Sequence, residues 1–415
     1  MLVTKKERDI LRELAKQVAE IAALPVQQET ISLWKALNGL KPVRPMVMID
    51  QVSWHEMEVD GELALQTQDA FCQGLETTLR RTLYSWKHMR ADMVVEPMID
   101  VPKVILGTDF GMQRVERTAV GDPRNDVVGH YYIDQLKTEE DLHKIQMPDV
   151  VLDEEATAQA EERAHEILDG ILGVRMQGSL PAFAAWDAIV QWHGVENVLL
   201  DLMDRPAFMH SVISRLTEVQ LSMLDQLEQK GLLGFGQRTV HCTGAYTDEL
   251  PAAGFDPQCP KARDLWTYGM AQIFAAVSLA MHQEFELDYA ARWYSRFGLV
   301  YYGCCEPLHT KVGIIRKVPH VRKISMSPWV NVEQGAEQIG PDYVFSRKPS
   351  PALLAGDTWE PDAVERDLRD TLERCNRHGC PVEFILKDIS TVRYQPQRLW
   401  EWVDVAMRVV DASHS

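Results

Sequence analysis

Short apolar runs alternate along the chain with longer stretches of helical period, and the apolar runs end on polar or ionisable residues. Met46-Val47-Met48-Ile49 ends at Asp50, Phe297-Gly298-Leu299-Val300 leads into Tyr301-Tyr302-Gly303-Cys304-Cys305-Glu306-Pro307, and Phe384-Ile385-Leu386 ends at Lys387-Asp388. Continuous apolar runs of this length predict strands buried on both faces. Met93-Val94-Val95, residues 173–178, residues 236–241 and Tyr343-Val344-Phe345 are further strand candidates. Between them, residues 75–89, 153–171, 284–297 and 364–375 have helical spacing, and Pro206 opens a long amphipathic helix that Gly231 stops.

The first 40 residues read as a helical arm. Thr4 and Glu7 stand in capping-box spacing, and Ile10, Leu11, Leu14, Val18 and Ile21 make one apolar face. Residues 100–148, with Gly121-Asp122-Pro123 and Gln146-Met147-Pro148, have weak periodicity and predict an insertion of loops and short strands. Strand and helix in alternation predict a parallel sheet with crossover helices. The expected architecture is α/β, a (β/α)8 TIM barrel over residues 41–415, with the arm at residues 1–40 and the insertion after the early strands.

Bulk properties narrow the function. Hydrophobic residues are 46% and charged residues 25% of 415, and no segment approaches the roughly 20 apolar residues of a membrane span. The formal charge of −18, from 61 acidic and 43 basic residues, argues against a nucleic-acid surface. Seven scattered cysteines and a start without an apolar core point to a cytoplasmic chain with reduced thiols. Neither a membrane nor a nucleic acid is expected as a partner, and a homodimer is compatible with the chain.

Candidate chemistry concentrates where strands end, because the residues after parallel strands converge on one face. This selects His55 and Glu56, His241 and Cys242, Cys304 to Glu306, Arg347 and Lys348, and Lys387 and Asp388. Adjacent thiols and a carboxylate suit zinc, which takes S, N and O donors and leaves one position open in catalytic sites. His241, Cys304 and Cys305 are the expected ligands, with Glu284 as a further candidate. Glu306, His55 and Asp388 are candidate catalytic groups, and Trp54, Glu56, Tyr302, Lys348 and Lys387 are candidate substrate contacts. Trp54, Tyr301, Tyr302 and Trp329 could wall an apolar pocket, suited to a methoxy-aromatic or, through cation–π attraction, a quaternary amine.

From about Arg44 onward the order of residues resembles the uroporphyrinogen decarboxylase-like superfamily of single barrels, most clearly over residues 173–355. Gly178-Ser179-Leu180-Pro181, Trp192-His193-Gly194-Val195-Glu196 and Asp201-Leu202-Met203-Asp204-Arg205-Pro206 are similar to that family's strand, helix and turn sequence. Phe345-Ser346-Arg347-Lys348-Pro349-Ser350-Pro351 sits where the family has a Gly-Asn-x-x-Pro loop. Where the true decarboxylases carry an Arg-rich segment, this chain has Val52-Ser53-Trp54-His55-Glu56-Met57. The superfamily's corrinoid-linked methyltransferases carry His-x-Cys, which Tyr302-Gly303-Cys304 matches only at the cysteine, and Ser346-Arg347-Lys348 offers no counterpart to their later cysteine. The resemblance implies a zinc-dependent methyltransferase that moves a methyl group between a small methylated substrate (methoxy-aromatic, methylamine or betaine) and a cobamide carried by a separate corrinoid protein. A decarboxylase without metal is the alternative.

Overall fold

The computed structural model describes residues 3–119 and 128–413; Gly121-Asp122-Pro123 lies outside them. Six parallel strands form one curled sheet in the order Met46–Ile49, Val382–Leu386, Val344–Arg347, Val321–Met326, Leu299–Tyr302 and Trp266–Gly269. Met98–Pro102 and Gly173–Gln177 pair in parallel apart from it, and single bridges join Ser179 to Leu233 and Phe183 to Gly269. The described residues therefore show a half-barrel with many helices, where the sequence predicted eight strands closed on themselves.

Alternation along the strands decides what each face meets. Val47, Val300, Tyr302, Ile324, Met326, Phe345, Phe384 and Leu386 join the large core shared with the helices. Met46, Met48, Leu299, Tyr301, Val344 and Ile385 belong to two smaller clusters on the opposite, inner face. The inner face also carries buried Lys323, Ser325, Ser346, Lys348, Glu383 and Lys387.

The expected strand over 236–241 is instead the first arm of a hairpin. Thr239–Val240 pairs antiparallel with Thr243–Gly244, and His241-Cys242 makes the turn, His241 with φ +53°. Val240 and Cys242 pack against Trp266, Leu299, Tyr301 and Ile385, so the hairpin fills the hollow of the sheet. The expected strand at 93–95 is likewise irregular, and the strand begins at Met98.

The arm is two helices, Lys5–Ala22 and Val26–Asn38, broken near Pro25. Thr4 caps the first as its spacing predicts, accepting from the Glu7 N–H at 3.3 Å. Trp34 Nε1 donates to the Asp92 carbonyl at 2.9 Å, and the Asn38 amide donates to the carbonyls of Gly244 and Tyr246, so the second helix grips the base of the hairpin. Among the described residues, no helix is long and apolar enough to cross a membrane.

Candidate active site

All six strands of the sheet run the same way, so Asp50, Gly303-Cys304, Lys348 and Lys387 leave it at one end. Gly303, at φ +94°, turns the chain off its strand, and a side chain there would strike Leu308 and Ser325. Cys304 is thereby turned to the inner side. Its carbonyl accepts from Ser325 Oγ at 2.6 Å, and its N–H donates to Glu306 Oε2 at 2.8 Å.

Cys304 Sγ is the centre of the cluster. Lys387 Nζ lies 3.1 Å from it and Cys305 Sγ 3.5 Å, while Lys387 Nζ is 3.5 Å from His241 Nε2 and Cys305 Sγ is 3.4 Å from Asp388 Oδ2. The hydrogen bond from Cys305 holds the Cys304 thiol well below its ordinary range; burial opposes this, and His241 and Lys387 reinforce it. The same contact, with burial, pushes Cys305 up, so one thiol is the anion and its neighbour the donor. For His241, burial favours the neutral ring, but Cys242 and Cys304 outweigh it and the pKa rises to about 9. Lys387 is raised too, the anions around it overcoming burial. These shifts favour a Cys304 thiolate beside a protonated His241 and the Lys387 ammonium.

Aromatic and acidic groups complete the surroundings. The His241 ring stacks on Tyr268, centroids 4.8 Å apart, and lies 5.5 Å from Tyr301. Burial raises the pKa of Asp187 despite a 2.9 Å hydrogen bond from Gln272, and burial likewise raises Asp50; both feel the charge on His241. Asp50 could be found by the strand-end criterion. Asp187 and Tyr268 could not, because a helix residue and a partly buried tyrosine carry no local signal.

Other predicted positions fall elsewhere. Tyr302 points to the opposite face, where its hydroxyl meets His282 Nε2 at 2.7 Å and Glu286 at 3.1 Å; with a period of two, Tyr301 is the inward residue. Glu284 is on the surface, bonded to His210 at 3.0 Å, and does not join the cysteines. Glu56 is buried and accepts from Thr391 Oγ1 and the N–H groups of Val392 and Tyr394, so its carboxylate holds a loop and leaves nothing for a substrate. Glu306 accepts from the backbone of Cys304 and of Ala271, and burial pushes its pKa up; it clamps the cysteine loop. Lys348 is buried with its ammonium on Ser325 Oγ at 2.6 Å and on the Tyr301 hydroxyl. Arg347 turns outward, to the Ser327 carbonyl and Asp367. Trp54 and His55 line a cavity, and Trp329 is 75% exposed.

Cys304 and His241 converge, but Lys387 already stands against the sulfur. Among the described residues, no three His, Cys, Asp or Glu side chains are placed to share a metal ion. The side chains as arranged thus do not fit the three-ligand site expected from the sequence.

Among solved structures, the chain is similar to a methyltransferase from Methanosarcina mazei, with a TM-score of 0.51 at 11% identity over 93% of this chain and 99% of that one. At that identity the likeness is one of fold. No protein-family description and no curated protein sequence matches the chain.

Proposed function

We propose that the chain is a methyltransferase that moves a methyl group from a small methylated substrate to a cobamide carried on a separate protein, with the thiolate–imidazolium cluster at the sheet's open end as its catalytic centre. The observation that carries this reading is the pairing of Cys304 with His241 and Lys387 on a fold similar to that of a methyltransferase. A methyl ether or methylated amine is a poor methyl donor because its leaving heteroatom is basic, so a proton must reach that atom as the bond to carbon breaks. The Cys304 thiolate keeps His241 protonated at neutral pH, and the imidazolium N–H gives that proton to the heteroatom. The bound cobamide would supply the electron pair that takes the methyl carbon. Tyr268 and Tyr301 wall the ring, and Glu306 and Ser325 fix the loop that presents the sulfur.

The test is methyl transfer to a reduced corrinoid protein, read as the spectral change at cobalt, with methoxy-aromatics, methylamines and betaines as donors. Replacement His241→Ala is expected to lower turnover about 100-fold or more, the usual contribution of a general acid. Since the raised pKa of His241 keeps it protonated below about 9, turnover should be lost as pH rises through that value. Release of CO2 from a carboxylated substrate without a carrier, with no cobalt signal for any donor, would establish the decarboxylase instead.

A further inference from the structure

A cavity of about 530 Å³ is lined by Trp54, Leu63, Leu65, Arg80, Arg81 and Ile389 among others. That volume is in the range of small-ligand sites. The chain links it to the thiolate cluster. Ile389 directly follows Asp388, whose carboxylate meets Cys305, and the Ile389 N–H donates to the carbonyl of Gln51, the residue after Asp50. A smaller pocket of about 180 Å³ shares Gln51, Val52 and Trp54 with the cavity and has Asp50 in its wall.

The lining has an unusual charge for this protein. In a chain with 61 acidic and 43 basic residues, no Asp or Glu lines this cavity, while two arginines and a histidine do. Arg80 is already committed, its Nε to Glu76 at 2.6 Å and its Nη1 to the Glu62 carbonyl at 3.1 Å. Arg81 is different: its guanidinium lies over the Trp54 ring, 4.8 Å from the centroid, and no carboxylate pairs with it among the described residues. Its partial desolvation lowers its pKa, and no carboxylate among the described residues offsets this. Of the remaining wall, Val52, Leu63, Leu65 and Ile389 are apolar, and Gln51, Ser53 and Thr77 are uncharged polar residues.

We infer that this cavity binds the carboxylate end of the methyl donor, with the carboxylate on Arg81 and an aromatic body between Trp54, Leu63 and Ile389, so that the donor is a carboxylated methoxy-aromatic. This rests on the methyltransferase reading and chooses among its donors. A free methylammonium would face two arginines, and the Trp54 face that would receive a quaternary amine is already covered by Arg81. An arginine meets a carboxylate with two parallel hydrogen bonds, which neutral methoxybenzene cannot accept.

The experiment titrates 4-methoxybenzoate and methoxybenzene into the full chain, following calorimetry and tryptophan fluorescence. The acid should bind at least about tenfold more tightly than the neutral ether, Arg81→Ala should abolish that difference, and Arg81→Lys, which keeps the charge but not the fork, should retain part of it. Arg81 is exposed on the helix Ala70–His88, and circular dichroism of both variants checks their fold. Equal affinity for acid and ether in the wild-type chain, or an unchanged preference in folded Arg81→Ala, overturns the inference. Arg81-dependent binding without methyl transfer to any carrier keeps this site and removes the methyltransferase reading. Transfer from methoxybenzene and 4-methoxybenzoate at equal kcat/KM, in wild type and Arg81→Ala alike, keeps that reading and removes the site.

Discussion

Two lysines on the inner face of one sheet, Lys323 and Lys387, are equally hidden from solvent and have opposite chemistry. Lys323 hydrogen-bonds to hard oxygen, Glu383 Oε2 at 2.7 Å, Thr243 Oγ1 at 3.1 Å and the Gly244 carbonyl at 3.2 Å, with the Trp34 and Trp266 rings beside it. Burial nonetheless lowers its pKa, with Glu383 opposing. Lys387, at the open end of the strand that carries Glu383, is raised, because burial there is outweighed by Cys242, Cys304 and Asp388. The nearest atoms to its ammonium are a sulfur and an imidazole nitrogen, both of which can gain or lose a proton. An ammonium closed by a carboxylate and a carbonyl is part of the scaffold. One that faces a thiol instead adds to the hold of Cys305 and His241 on the thiol's charge, and partner identity rather than burial separates the two roles.

The comparison is broken most severely at the closed end. Lys323→Met would leave Glu383 as an uncompensated buried charge, and a loss of about 3–5 kcal/mol in urea unfolding is expected, with most of it recovered in the double variant Lys323→Met/Glu383→Leu. A single variant as stable as the wild type would mean that the pair is not what holds the hairpin to the sheet. At the open end, Lys387→Met should act on the thiol and barely on stability. The pKa of Cys304 is depressed in the folded chain, so its thiolate persists as pH falls until that lowered value is reached; removing the ammonium moves this limb to higher pH. Iodoacetamide labelling of Cys304, mapped by mass spectrometry from about pH 3 to about pH 6, should show the acid limb at a higher pH than in the wild type, and an unchanged profile would deny Lys387 its part. Smallest is Glu284→Ala, where an exposed side chain leaves only His210: stability should stay within about 0.5 kcal/mol and methyl transfer should not change. A clear loss of transfer would return Glu284 to the site.

How much of this was legible follows the same division. Strands at Met46–Ile49, Leu299–Tyr302, Val344–Arg347 and Val382–Leu386 announce themselves because apolar residues occupy both faces. Val321–Met326 does not, because its inward positions are Lys323 and Ser325, and an interior that is itself polar erases the apolar run. Cys304, His241 and Lys387 could be gathered from the ends of runs, but their mutual contacts depend on a hairpin that reads in sequence as another wall strand. Sequence alone does not separate Tyr302 from Tyr301, because adjacent residues of a strand belong to opposite faces and only the strand's pairing fixes which one turns inward. Glu56 and Glu306 have the residue type of catalytic acids, and only the backbone N–H groups around them reveal their work as clamps.

The hairpin Thr239–Gly244 stands inside the sheet without belonging to its wall, and its turn supplies His241. The hairpin that fills the hollow of the sheet and the imidazole of His241 are therefore one insert, anchored by Asn38 at its base and by Lys323 and Glu383 at its side. Lengthening or shortening that insert would move His241 relative to Cys304 and Lys387 while every wall strand kept its place, so the spacing of the cluster is set by a segment that belongs to no wall strand.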